Sequence, residues 1–154
     1  MGSEMCIRDR NVNSYRRLIR YHAAPINVQW GLDNRTVGLR VPDSGRESRR
    51  VENRVPGADA NPYLAIAASL ACGLLGMQQK LDPSAPVTAS AYDMPYELPR
   101  SLEQSLKALD NSDDLKEMLG TRFVQAWHAV KESEYDTFLQ VISSWEREHL
   151  LLNV

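Results

Sequence analysis

Apolar residues are spaced two apart in the front of the chain and three to four apart in the rear. Between Pro25 and Gly31, Ile26, Val28 and Trp30 alternate with Asn27 and Gln29, the pattern of a half-buried strand. Asp33-Asn34 is a turn signal. Thr36 to Val41 predicts a second strand, with Val37, Leu39 and Val41 on one face and Thr36, Gly38 and Arg40 on the other. Pro42 to Ser48 reads as a polar loop and Arg50 to Val55 as a third strand. Short strands joined by loops predict an antiparallel sheet.

Pro56-Gly57 breaks the third strand. Asn61 is a good N-cap, Pro62 suits a first helical position, and the following helix runs to about Leu81. It is apolar on nearly all sides, which predicts a core helix. Asp82 to Pro99 has four prolines and no periodicity, so it reads as a loop. Ser101 to Gln104 is a capping box opening a short helix to Leu109, and Ser112 to Leu119 forms another, stopped by Gly120. Thr121 to about Leu151 reads as mostly helical, with Phe123, Trp127, Val130, Phe138, Val141, Ile142 and Trp145 at helical spacing and the aromatics among them expected in the core. The predicted class is α+β: a few antiparallel strands followed by a mainly helical second half. No internal repeat appears. Residues 1–10, MGSEMCIRDR, lack periodicity and resemble translated sequencing-adapter sequence. They are expected to be a non-native segment, with 11–154 a piece of something longer.

The chain has 154 residues, 43% of them apolar, enough for one domain core. Its net charge of −2 is unevenly spread. Residues 1–57 hold eleven Arg, no Lys and six acidic residues, whereas 58–154 hold seven basic and fourteen acidic ones. An Arg-only bias suits planar, bidentate capture of carboxylate or phosphate. The Lys share and interleaved exposed aromatics of a nucleic-acid binder are missing, so small anionic ligands rank above nucleic acid. Cys6 and Cys72 do not make a disulfide framework, no Cys/His pattern has zinc spacing, and Cys72 reads as a packed thiol. No secretory signal is evident, and the run from Tyr63 to Met77 is too short to span a bilayer. A reducing cytoplasm, with no membrane partner, is the expected setting.

The candidate chemistry starts at Arg50-Val51-Glu52-Asn53-Arg54. In a strand, Arg50, Glu52 and Arg54 share one face. Alone, this is the pattern of a surface charge ladder, but its neighbours change the balance. Asn13-Ser14-Tyr15-Arg16-Arg17-Leu18, Asn34-Arg35-Thr36 and Leu39-Arg40-Val41-Pro42 precede it, and Asn61-Pro62-Tyr63-Leu64 follows. In that order and spacing the motifs resemble the C-terminal part of the catalytic domain of the glutamine synthetase family. The likeness is close over 11–80 and loose over the helical remainder.

The resemblance implies an ATP-dependent ligase in which the glutamate side chain is phosphorylated and an amine then displaces phosphate. It implies that Arg17 and Arg54 hold glutamate, and that Arg35, Arg40 and Arg50 face the nucleotide. It further implies that Arg35 and Arg40 act on the phosphoryl group in flight, as catalytic residues, and that Glu52 is a ligand of Mg²⁺ or Mn²⁺. Phosphoryl transfer is chiefly positioning and charge neutralisation, which suits this residue set. Arg35 and Arg40 have opposite strand parity, so Arg35 is expected in the turn or beside a bulge. One departure stands out. Ammonia-using members carry a Gly-Tyr-Glu-Ala-Pro-like flap, whereas here the stretch reads Arg20-Tyr21-His22-Ala23-Ala24-Pro25, with Ala23 where the Glu would fall. That resembles the gamma-glutamylpolyamine synthetase branch, so the implied partners are glutamate, ATP and an amine larger than ammonia. A true glutamine synthetase using ammonia is the alternative, and an inactive binding or regulatory relative a second. His22 could serve as a base, although a lone loop histidine is more often a solvated surface residue. The resemblance also implies two stacked rings with active sites between subunits. The upstream metal carboxylates, the glutamate loop and a neighbouring subunit's Asp are not in this chain. The chain alone is therefore expected to be inactive, with exposed edges that favour aggregation.

Overall fold

Three short strands form the front of the computed structural model, which describes residues 11–153: β1 (Trp30–Leu32), β2 (Leu39–Val41) and β3 (Glu52–Asn53), in the order β1-β2-β3. The expected foreign segment, 1–10, lies outside the described residues. β2 and β3 pair antiparallel, as predicted, but β1 and β2 pair parallel, which corrects the prediction of an all-antiparallel sheet. Parallel neighbours ordinarily need a long crossover. Here β1 and β2 have three residues each, so the chain must travel back only about 7 Å, which residues 33–38 can span. Asp33, at φ 46°, starts that reversal.

The strand predicted over 25–31 shrinks to its last residues. Ala24, Pro25, Ile26 and Asn27 are all buried, so alternation fails there. Segment 83–98 accounts for this by crossing the same ground as a strap. Glu97 N and Leu98 N donate to Ile26 O at 3.0 and 3.2 Å, and the Asn27 amide donates to Ala91 O at 2.8 Å. Val87 N donates to Trp30 O at 2.8 Å, along the free edge of β1. The strap is irregular apart from one helical turn, Ala91–Asp93.

Helix α1 (Pro62–Gln78) begins as read: Asn61 Oδ1 accepts from Tyr63 N and Leu64 N, with Pro62 at the first position. It is not a core helix. Ala68 and Ala71 are buried, while Tyr63, Ile66, Leu70, Leu74 and Met77 form an exposed stripe. One face packs on the domain, and no described residue covers the other. α2 (Leu102–Asp110), α3 (Asp113–Leu119) and α4 (Thr121–Leu139) complete the helical layer. Ser101 Oγ accepts from Gln104 N, but Gln104 Oε1 accepts from Arg100 N instead of Ser101 N, so the predicted capping box is only half closed. Gly120, at φ 89°, separates α3 from α4. The long final helix predicted to Leu151 is interrupted. Ser143 and Glu146 form a full capping box and start α5 (Ser144–His149). Phe123 and Trp127 pack against the core as expected, whereas Val130, Val141, Ile142 and Trp145 are largely exposed and Phe138 is at the margin. One apolar cluster joins front and rear, running from Tyr15, Leu18 and Val55 through Ala68 and Leu98 to Leu102, Leu109, Leu115 and Val124.

Candidate active site

The register of β2 and β3 sets Arg40 directly opposite Glu52. Arg40 Nη1 lies 2.8 Å from Glu52 Oε2, and Arg50 Nη2 lies 3.0 Å from Glu52 Oε1. Each carboxylate oxygen of Glu52 thus meets a different guanidinium. Arg40 Nη2 also pairs with Asp33, at the end of the β1 side. The Arg40 side chain is only 14% exposed, which two acidic partners compensate. Hydrogen bonding to Arg40, reinforced by its charge, holds both Asp33 and Glu52 below their ordinary carboxyl pKa. The same two partners raise Arg40 above its ordinary value, Asp33 most.

Arg35 is exposed in the turn before β2, so no bulge is needed to reconcile its parity with that of Arg40. Its positive charge also contributes to lowering Asp33. Its guanidinium makes no hydrogen bond or ion pair among the described residues.

A second group gathers at the other end of β3. Arg17, in the helical turn Ser14–Arg17, donates to Val55 O and, at 3.5 Å, to Arg54 O. Arg54 Nη2 donates to Ala23 O at 2.9 Å. Arg54 therefore engages the 20–25 loop instead of joining Glu52, because β3 ends at Asn53 and strand alternation stops with it. That loop holds Tyr21 and Ala23 at φ 64° and 59°, a left-handed conformation costly for side chains with a Cβ. The strap fastens it: Arg20 Nη2 donates to Met94 O at 3.1 Å, and Tyr21 packs on Tyr92 with ring centroids 5.2 Å apart. His22 is exposed and makes no contact of this kind among the described residues.

The six predicted residues therefore form two neighbouring sets, Arg35, Arg40, Arg50 and Glu52 on one side and Arg17 and Arg54 on the other. The Nε atoms of Arg17, Arg40 and Arg54 are buried without an acceptor. Orphaned cationic donors in both sets fit an anionic ligand. A divalent cation is a different matter. Glu52 is an oxygen donor of the right type, but no group of three His, Cys, Asp or Glu that could hold a metal occurs among the described residues. The described residues therefore offer one oxygen donor of the right type and no complete metal site. A cavity of about 740 Å³ lies between the sheet and α1, lined by Leu39, Asn53, Val55, Leu70, Leu75 and Leu115. Leu39 and Asn53 alternate with Arg40 and Glu52, so this apolar space opens on the opposite face and lacks the Arg cluster.

Sequence reasoning missed two carboxylates. Asp33 was read only as a turn residue, although it clamps Arg40. Asp59 accepts from Ser14 Oγ and, at 3.1 Å, from Asn11 Nδ2, which fixes the Asn13-to-Leu18 motif over β3. Neither lies in a motif that marks it, because their partners stand in other segments of the chain. No helix among the described residues is long and apolar enough to cross a membrane.

Residues 1–150 match the family described as glutamine synthetase, catalytic domain. The chain is 41% identical to type-1 glutamine synthetase 2 of Dictyostelium discoideum over 146 residues, covering 91% of this chain and 28% of that protein. It is 40% identical to gamma-glutamylputrescine synthetase PuuA of Escherichia coli K12 over 155 residues, covering 99% and 33%. A solved structure of GmaS without ligand superposes with a TM-score of 0.83 at 33% identity, covering 97% of this chain and 35% of that one. The chain thus spans about a third of the length of the curated relatives it matches.

Proposed function

We propose that this chain, which belongs to the glutamine synthetase family, is the C-terminal part of the catalytic domain of an ATP- and divalent-metal-dependent glutamate–amine ligase. The reaction joins an amine to the glutamate side chain through gamma-glutamyl phosphate. Its amine is larger than ammonia. The observation that carries this last point is Ala23, a methyl-bearing residue whose carbonyl is held by Arg54. Ammonia-using members place a carboxylate there, and ammonium needs such an anion. Relatives of both kinds share similar identity with the chain, 41% and 40%, so the flap residue discriminates where overall likeness does not.

Arg17 and Arg54 bind glutamate, their unsatisfied Nε donors being suited to its carboxylates. Arg40 and Arg50 face the nucleotide, held in place through Glu52. Arg35, exposed and without a hydrogen bond among the described residues, is the cation that meets the phosphoryl group in transfer. Glu52 contributes one carboxylate to a Mg²⁺ or Mn²⁺ that, when bound, neutralises phosphate charge, the remaining ligands coming from other parts of the enzyme. The longer enzyme assembles as stacked rings with sites between subunits, in a reducing cytoplasm, and this chain alone is inactive.

The test is ATP-dependent phosphate release by the longer enzyme with glutamate present, comparing ammonium with putrescine and simple monoamines. Turnover with amines but not ammonium is expected. Preference for ammonium would overturn the larger-amine reading, and no turnover with any of them would favour an inactive relative.

A further inference from the structure

We propose that Asn34 and Thr36 are positioning residues that weld the turn carrying Arg35 to the 83–98 strap. The inference rests on the reading that Arg35 meets the phosphates of ATP. Among the described residues, no backbone hydrogen bond is made by Arg35 itself. Its flanking side chains hold the turn instead. Asn34 Oδ1 accepts from Thr36 N at 2.9 Å and from Thr36 Oγ1 at 2.7 Å. Asn34 Nδ2 donates to Val87 O and Ala89 O, both at 2.9 Å. Ala91 N closes the ring by donating to Thr36 Oγ1 at 2.8 Å.

Every donor and acceptor of this ring is consistent in sense. The Thr36 hydroxyl accepts from the strap and passes its own proton toward Asn34, and the Asn34 amide uses both N–H groups and its carbonyl. A flipped amide would set N–H against N–H and carbonyl against carbonyl, so the network fixes the orientation. Arg35 therefore has a backbone pinned from both sides and a guanidinium that makes no hydrogen bond or ion pair among the described residues. Arg40 and Arg50 are held by ion pairs, and Arg17 and Arg54 by carbonyls. Only for Arg35, within the matched set, does the backbone carry all the positioning. With the backbone fixed, only the Arg35 side chain itself remains to be ordered when an anion binds beside it.

The experiment uses the longer ligase containing this chain and measures calorimetric affinity for a non-hydrolysable ATP analogue and for adenosine. Arg35→Ala should weaken the analogue about tenfold. Asn34→Ala and Thr36→Val should each weaken it roughly three- to tenfold, while Thr36→Ser, which keeps the hydroxyl, stays at wild type. Adenosine affinity should not change in any variant. The double variant Thr36→Val/Arg35→Ala should bind no worse than Arg35→Ala alone, because both act through one contact. Wild-type affinity in Thr36→Val, additive doubles, or equal loss for adenosine would overturn the positioning role. Unchanged affinity in Arg35→Ala would instead overturn the assignment of Arg35, and the clamp's role with it. If Asn34→Ala does not fold, the Thr36→Val and Thr36→Ser pair decides, being close to isosteric.

Discussion

At the scale of single residues, Glu52 and Ala23 carry the most consequence. Glu52→Gln removes the charge that holds Arg40 and Arg50, so phosphate release should fall by about a hundredfold or more. The thermal midpoint should shift little, because partly exposed ion pairs contribute modestly. Ala23→Glu tests the flap from the other side: it restores a carboxylate beside Arg54, and relative turnover with ammonium should rise against putrescine. Acidity gives a further check. Asp33 and Glu52 are held ionised below their ordinary 3.8 and 4.5. As pH falls, the unfolded chain takes up these protons first. Their stabilisation is thus whole above the ordinary carboxyl range and declines downward through the lowered folded values. Urea midpoints between about pH 6 and pH 3 should fall along that course, and Arg40→Ala should flatten it. The Arg positions were legible because each sits in a short motif of fixed spacing. Asp33 and Asp59 were not, since their partners lie in other segments and no local pattern announces a long-range carboxylate.

At the scale of elements, caps and turns were legible and strand extent was not. Asn61 caps α1 through two backbone amides, a purely local arrangement. Asn61→Ala should lower stability by about 1 kcal/mol, read as a shift in urea midpoint. The strap, by contrast, competes with strand pairing for residues 24–30, and its prolines hid its role as a structural edge. Gly31 exposes how close it runs: a Cβ there would stand 2.6 Å from Val87 O. Gly31→Ala must displace the strap and should cost about 1–3 kcal/mol. The parallel β1–β2 pair was equally hidden, because alternation reports which face a residue takes and not which way a strand runs.

For the whole molecule, helical periodicity located the helices of the rear but not the break after Leu139, and it overestimated their burial. α1 was read as a core helix because it is apolar on nearly all sides, yet Tyr63, Ile66, Leu70 and Met77 each remain more than half exposed. Such a continuous stripe favours association. The isolated chain should sediment as concentration-dependent oligomers, and Ile66→Lys with Leu70→Lys should shift it toward monomer. The cross-strand pair of Arg40 and Glu52 has a consequence of another kind. A two-residue strand has too few backbone bonds to define its own alignment. Sliding β3 by one residue would bring Val51 or Asn53 opposite Arg40, taking away the Glu52 carboxylate and leaving Asp33 as its one ion-pair partner among the described residues. The charge pair therefore favours the one alignment that so short a ladder leaves open.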